Sequence, residues 1–130
     1  MLRITKTAGD TTYTDPFLFK AGVVNLQIDA SALTTAEVDA NGYLKPGVPF
    51  TSVGVLPGAS TVVYGVSVEE VKIAADNTGL AGITNDPIIA VATHATINRD
   101  IAEDNLGRAY NANELAAVTA AGSTCKLTPA

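Results

Sequence analysis

Hydrophobic and polar positions alternate along two long stretches of the 130-residue chain, and a period of two marks strands rather than helices. The clearer stretch runs from Ser60 to Ala74, with Val62, Tyr64, Val66 and Val68 on one face and Val63, Gly65, Ser67 and Glu69 on the other. At Glu69-Glu70 the phase slips by one residue, and the apolar face continues as Val71 and Ile73. Such a slip sends every later side chain to the wrong face unless a bulge, bend or turn absorbs it, so the chain is expected to bend there. A second long strand is expected from Pro87 to Asn98. Ile88, Ala90 and Ala92 oppose Ile89, Val91 and Ala95, and both faces are apolar at its start, as in a central strand covered on both sides.

Shorter elements fill the remainder. Val23, Val24, Leu26 and Ile28 form a strand candidate that opens at Ala21 and stops at Asp29-Ala30-Ser31. Asp39-Ala40-Asn41-Gly42 is a reverse-turn signal, because Asn and Gly tolerate the positive φ of tight turns. Pro46 and Pro49 cannot donate to a ladder, so Tyr43 to Phe50 belongs on an edge or in an extended loop. Asp76 to Gly79 and Asn85 to Pro87 bracket a turn-rich segment. In the last third the pattern becomes helical. Asn98 to Leu106 makes two turns with Gly107 as their stop, Asn111 or Asn113 caps a second helix running to Ala121 before Gly122, and Ser123 to Leu127 is a closing strand. The segment 1–20, rich in Thr and Asp with turn signals at Gly9-Asp10 and Asp15-Pro16, reads as an N-terminal arm with one short strand, and 21–130 as a single domain. The expected fold class is mainly β (α+β), with one or two short C-terminal helices.

Composition narrows what such a domain does. Thirteen acidic and eight basic side chains give a net charge of −5, and the scattered basic residues lack the electrostatic footprint that phosphate contacts require. Nucleic acid is therefore not an expected partner. No stretch approaches the roughly 18 apolar residues of a membrane span, and Met1 to Thr7 has no apolar run behind its charges, so no membrane is expected and the chain is expected to fold in the cytoplasm where it is made. Charged residues make up only 16% and aromatics 5%, with no Trp, so the core must come from many small Ala and Val side chains, and the low charge suits a chain that hides part of its surface in an interface.

Candidate chemistry is sparse. Cys125 is the one cysteine and His94 the one histidine, which rules out an intramolecular disulfide and a zinc site of the usual Cys/His kind. A small hydrolase would have to use His94 with Cys125 or a serine, but a lone His in an alternating strand is more often structural or on the surface, and Cys125 reads as a small buried hydrophobe. Asp100, Glu103 and Asp104 fall on one side of a helix, where Arg99 and Arg108 are placed to neutralise them; a solvated or intersubunit salt-bridge face is the simpler reading than a calcium site. Gly54 to Gly58 lacks the Lys-Ser/Thr ending of a phosphate loop. No catalytic residue, metal or cofactor is expected.

Three passages carry a resemblance: Asn41-Gly42-Tyr43-Leu44-Lys45-Pro46-Gly47-Val48-Pro49-Phe50, Val63 to Lys72, and Pro87-Ile88-Ile89-Ala90-Val91-Ala92-Thr93. Together they resemble the head decoration (cement) proteins of tailed bacteriophages, in which a Gly-x-Leu-Lys-x-Gly entry precedes a strand, a Gly-Val step and a hydrophobic strand. Ile97 to Tyr110 is similar to sequences in such phage structural proteins. The resemblance covers roughly Asp39 to Gly122. It implies a small β-tulip or β-barrel-like domain of the lambda type. It also implies a virion protein that sits as a homotrimer on the exterior of an expanded capsid and stabilises the head by bridging subunits of the major capsid protein. The family's arm pairs with capsid strands; the matching positions here are Leu2, Arg3, Ile4, Thr5, Lys6, Thr7 and Tyr13. The segment 113–121 and the turns before it exceed the smallest members, so no trimer contact is carried over. The alternative expectation is a carbohydrate- or surface-binding β module of a phage tail or fibre, which would need an aromatic platform built from Tyr13, Tyr43, Tyr64, Tyr110 and the three Phe.

Overall fold

The computed structural model describes residues 13–129. Seven strands are found among them: β1 (Phe17–Gln27), β2 (Tyr43–Leu44), β3 (Pro49–Phe50), β4 (Gly65–Ser67), β5 (Val71–Lys72), β6 (Ile88–Asn98) and β7 (Cys125–Thr128). Two helices, α1 (Arg99–Leu106) and α2 (Ala112–Thr119), lie between β6 and β7. The domain is mainly β with two short helices, as expected.

The main sheet is organised around β6. One edge of β6 pairs antiparallel with β1 along its length, from Phe17↔Ile97 to Gln27↔Ile88. Its other edge is shared: β4 pairs antiparallel at Val66↔Ala92 and Ser67↔Val91, and β7 pairs parallel from Ala95↔Cys125 to Asn98↔Thr128. β3 continues beyond β4, and Pro49, which has no N–H to give a ladder, stands on this outermost strand, where its missing donor costs least. The central position expected of β6 is found, but its cover is unequal. Ile89, Val91, Ala95 and Ile97 are buried. The opposite face is closed where β4 crosses, at fully buried Val66 and Ala92, and open beside β1, where Ile88 is 65% exposed.

The expected phase slip at Glu69-Glu70 is a change of sheet. β4 ends at Ser67, and β5 belongs to a separate two-stranded ribbon with β2, paired Tyr43↔Lys72 and Leu44↔Val71. The long strand expected from Ser60 is cut short for a different reason. Val63 N donates to Ala117 O of α2 at 3.2 Å, so the helix takes a donor that a longer ladder would need, and Val63 is buried while Val62 and Tyr64 are exposed. The reverse turn at Asp39–Gly42 forms as expected, with Gly42 N donating to Asp39 O at 2.9 Å and Gly42 at φ 81. A Cβ at Gly42 would run into the carbonyl of Ala74, so the turn needs this glycine for space as well as for its dihedral.

Both helices are fixed by signals in their own sequence. Asn98 caps α1, its side chain accepting from Ile101 N, and Gly107 ends it in the left-handed region at φ 73. Asn111 caps α2 through a reciprocal capping box with Glu114, which satisfies two otherwise orphaned N–H groups at once. α1 also fastens the lead-in to β1: Asn105 Nδ2 donates to Thr14 O at 2.7 Å, and Asn98 N donates to Pro16 O at 2.7 Å. One core cluster joins both sheets and both helices, from Ile28, Leu44 and Phe50 to Val91, Leu106 and Val118.

Candidate interaction surface

β1 starts at Phe17 rather than Ala21 and is the most exposed strand of the sheet. Its outer edge pairs with no other strand among the described residues. Leu18 is 60% exposed, Phe19 58% and Val23 51%. The register explains the grouping. Phe19 faces Thr96, Ala21 faces His94, Val23 faces Ala92 and Gln27 faces Ile88, so Phe19 and Val23 stand on the open face together with Ile88. Leu18 is the extra residue of a bulge between Phe17 and Phe19, which turns its side chain outward as well. A long strand with an unpaired edge and exposed apolar side chains is a template for adding a strand from another chain. Lys20 is its one charged residue, and the Lys20 ammonium lies 5.3 Å from the Phe17 ring centroid.

Gly22 fixes the shape of that edge. It sits mid-strand at φ 63, and a Cβ there would strike Thr93 Oγ1. The same hydroxyl donates to Gly22 O at 2.8 Å and lies 3.1 Å from His94 Nδ1. The strand is therefore held close to β6 at a point where only a glycine fits.

The other expected site residues fall as follows. Leu2, Arg3, Ile4, Thr5, Lys6 and Thr7 lie outside the described residues. Tyr13 is placed against the domain: its hydroxyl donates to Asp39 Oδ2 at 2.7 Å, and the Lys45 ammonium stands 5.8 Å from its ring centroid. Lys45 also donates to Leu106 O at 3.3 Å, and burial lowers its pKa despite nearby Asp39 and Glu37. The tyrosines weighed for an aromatic platform are dispersed in their contacts. Tyr43 lies under the Lys72 ammonium at 5.4 Å, Tyr110 is buried with its hydroxyl donating to Gly47 O at 2.6 Å, and Tyr64 is exposed.

His94 and Cys125 do not meet. Cys125 pairs with Ala95 across the parallel ladder and shares its buried side, so the neighbouring His94 points to the other face of the sheet. Burial raises the Cys125 thiol pKa, the opposite of what a nucleophile needs. Among the described residues no group of three or more His, Cys, Asp or Glu side chains is placed to hold a metal.

The acidic side of α1 is only partly neutralised in the way its spacing suggested. Arg99 Nε donates to Glu103 at 3.0 Å, and Glu103 also accepts from Tyr110 N at 2.8 Å. Arg108 turns elsewhere, to Glu114 at 2.7 Å and Glu37 at 2.8 Å. Both glutamates are almost completely buried. Glu37 also accepts from Thr34 N and Oγ1, and Glu114 accepts from Asn111 N, so one guanidinium ties two capping arrangements together. The Glu114 hydrogen bond, followed by the bond to Glu37, raises the Arg108 pKa against the burial that opposes it. Sequence reading missed this triad, in which Glu37 lies far along the chain from Arg108 and Glu114; the Thr34-x-x-Glu37 and Asn111-x-x-Glu114 spacings were its visible signal.

No protein-family model, curated protein or solved structure matches the chain.

Proposed function

We propose that this chain is a non-enzymatic structural protein of a virion. It binds the exterior of an expanded phage capsid as a homotrimer and stabilises the shell by bridging subunits of the major capsid protein. It is made in the host cytoplasm and carries no cofactor. The observation that supports this reading best is the apolar outer edge of β1, with Leu18, Phe19 and Val23 exposed beside Ile88. An 11-residue strand that no other strand among the described residues pairs on its outer side gains most from a partner that supplies the missing strand. The low charge fraction and the family resemblance point the same way. Each trimer would engage three patches of shell, so modest contacts add up to durable attachment.

The test compares heat- or chelator-induced rupture of virions with and without the protein. Greater resistance with the protein is expected; equal resistance overturns the reading.

A further inference from the structure

We propose that His94 is the polar recognition point of the open β1–β6 face. Its Nε2 accepts a hydrogen bond from an N–H or O–H group of the major capsid protein, and does so only while the imidazole is neutral, so that attachment weakens on acidification. This inference rests on the capsid reading and names the group that gives that contact its specificity and its pH dependence. The register places the side chain. His94 pairs with Ala21, so it stands on the same face as Phe19, Val23 and Ile88 and lies between the first two along the sheet. His94 is itself exposed, which sets a titratable group in the middle of the exposed apolar patch.

A proton count fixes the ring. Thr93 Oγ1 donates to Gly22 O at 2.8 Å and lies 3.1 Å from His94 Nδ1. A hydroxyl carries one hydrogen, and this one is committed to Gly22 O. Nδ1 must therefore hold the proton and donate to Thr93 Oγ1, which in the neutral ring leaves Nε2 bare, as an acceptor. Among the described residues Nε2 has no hydrogen bond of its own. Gly22 makes room for the arrangement, since a Cβ there would meet both Thr93 Oγ1 and His94 Nδ1.

The neighbouring strands decide what protonation costs. β1, β3, β4, β6 and β7 contain no Asp or Glu. On β1, Ala21 lies opposite His94, with Phe19 and Val23 on either side, while Lys20 pairs with Ala95 and belongs to the other face. At the far edge of β6, Lys126 of β7 pairs with Thr96 and so shares the face of His94, where it is exposed, and Tyr64 precedes β4. An imidazolium would thus join Lys126 with no carboxylate on these strands to offset it, and an apolar partner surface laid over it would bury an unpaired charge. Protonation also turns Nε2 from acceptor to donor, so the partner's donor loses its bond. Histidine is the side chain that ordinarily makes this change between pH 5 and 8. Because the bound state requires the neutral ring, binding weakens as pH falls.

The experiment has two arms. In the free full chain, proton–nitrogen correlation NMR of the one imidazole at pH 8 should show a protonated Nδ1 and a bare Nε2, and T93V, which removes the hydroxyl, should lose that bias. In co-sedimentation with empty expanded shells, the full chain should bind about tenfold more weakly at pH 5 than at pH 8, the loss expected when a buried polar group is left unmatched. H94Q changes an exposed side chain and keeps a neutral acceptor at both pH values. It should bind equally at pH 5 and pH 8, which controls for any change in the shell itself, and H94K, charged at both, should bind poorly throughout. Absence of binding at pH 8 by the parent chain overturns the capsid reading and this inference with it. Binding at pH 8 without loss at pH 5, a loss in H94Q equal to that of the parent, or a bare Nδ1 in the free chain overturns this inference alone and leaves the capsid reading standing.

Discussion

Arg108 bonds two carboxylates that have almost no access to water, Glu37 and Glu114. Removing it strands both, and uncompensated buried charge is among the costliest single changes in a fold. Arg108→Met should therefore lower stability by about 3 kcal/mol, the lower end for a broken buried pair, because the arginine itself keeps some exposure. The triple change R108M/E37Q/E114Q should recover most of the loss, and urea denaturation midpoints measure both. At Gly22, alanine must accept a left-handed φ and a clash with Thr93 Oγ1. The dihedral alone costs about 1–2 kcal/mol, and the expected readout is a lower urea midpoint with loss of hydrogen-exchange protection along β1. Two further residues set the alkaline limit. Burial raises the pKa of the Cys125 thiol and the Tyr110 hydroxyl above their ordinary values of 9.0 and 10.0. Both stay protonated in the folded chain after the unfolded chain has begun to lose those protons. Their contribution is thus complete below about pH 9 and declines as pH rises further. Unfolding free energy measured from pH 7 to 11 should fall above pH 9, and Cys125→Ala should remove the earlier part of the decline.

At the scale of elements, what the sequence disclosed depended on whether the signal was local. α1, α2 and β6 lie where they were expected because Asn98, Gly107, Asn111 and the alternation of Ile88 to Ile97 act within their own segments. The start of β1 was hidden because Phe17-Leu18-Phe19 does not alternate with polar residues. A bulge at Leu18 and exposure on both faces break the period that a half-buried strand would show. The stretch before Gly65 alternates and yet is not a strand, since a backbone donor of Val63 goes to α2, a competition that no local pattern records. The exposed apolar edge was invisible for the same reason: which hydrophobic residues remain outside is decided by where neighbouring elements stop. That edge yields its own prediction. F19K/V23K replaces two exposed side chains, so stability should change by no more than about 0.5 kcal/mol, whereas binding to empty expanded shells in a co-sedimentation assay should be lost. Retained binding would remove β1 from the contact.

For the molecule as a whole, the proposed bridging role asks which part grips the shell, the arm or the β1 edge, and the structure tells where to cut. Tyr13 is hydrogen-bonded to Asp39, Thr14 O accepts from Asn105, and Pro16 O accepts from Asn98. Among the described residues the domain's anchorage begins at Tyr13, and a truncation that removes Tyr13 would damage the fold along with any contact. Deleting residues 1–12 leaves these bonds in place, so the shortened chain should keep the thermal midpoint of the full chain while losing attachment to empty expanded shells. The comparison with F19K/V23K then separates two mechanisms. If both variants fail to bind, arm and edge act together, and each is too weak alone, as multivalent attachment allows. If the truncated chain binds as well as the full one and F19K/V23K does not, the edge of β1 is the grip and the arm has no part in it. Light scattering on the same samples closes the argument: a trimer requires three chain masses in the bound or free state, and a single chain mass in both would remove the three-fold bridge.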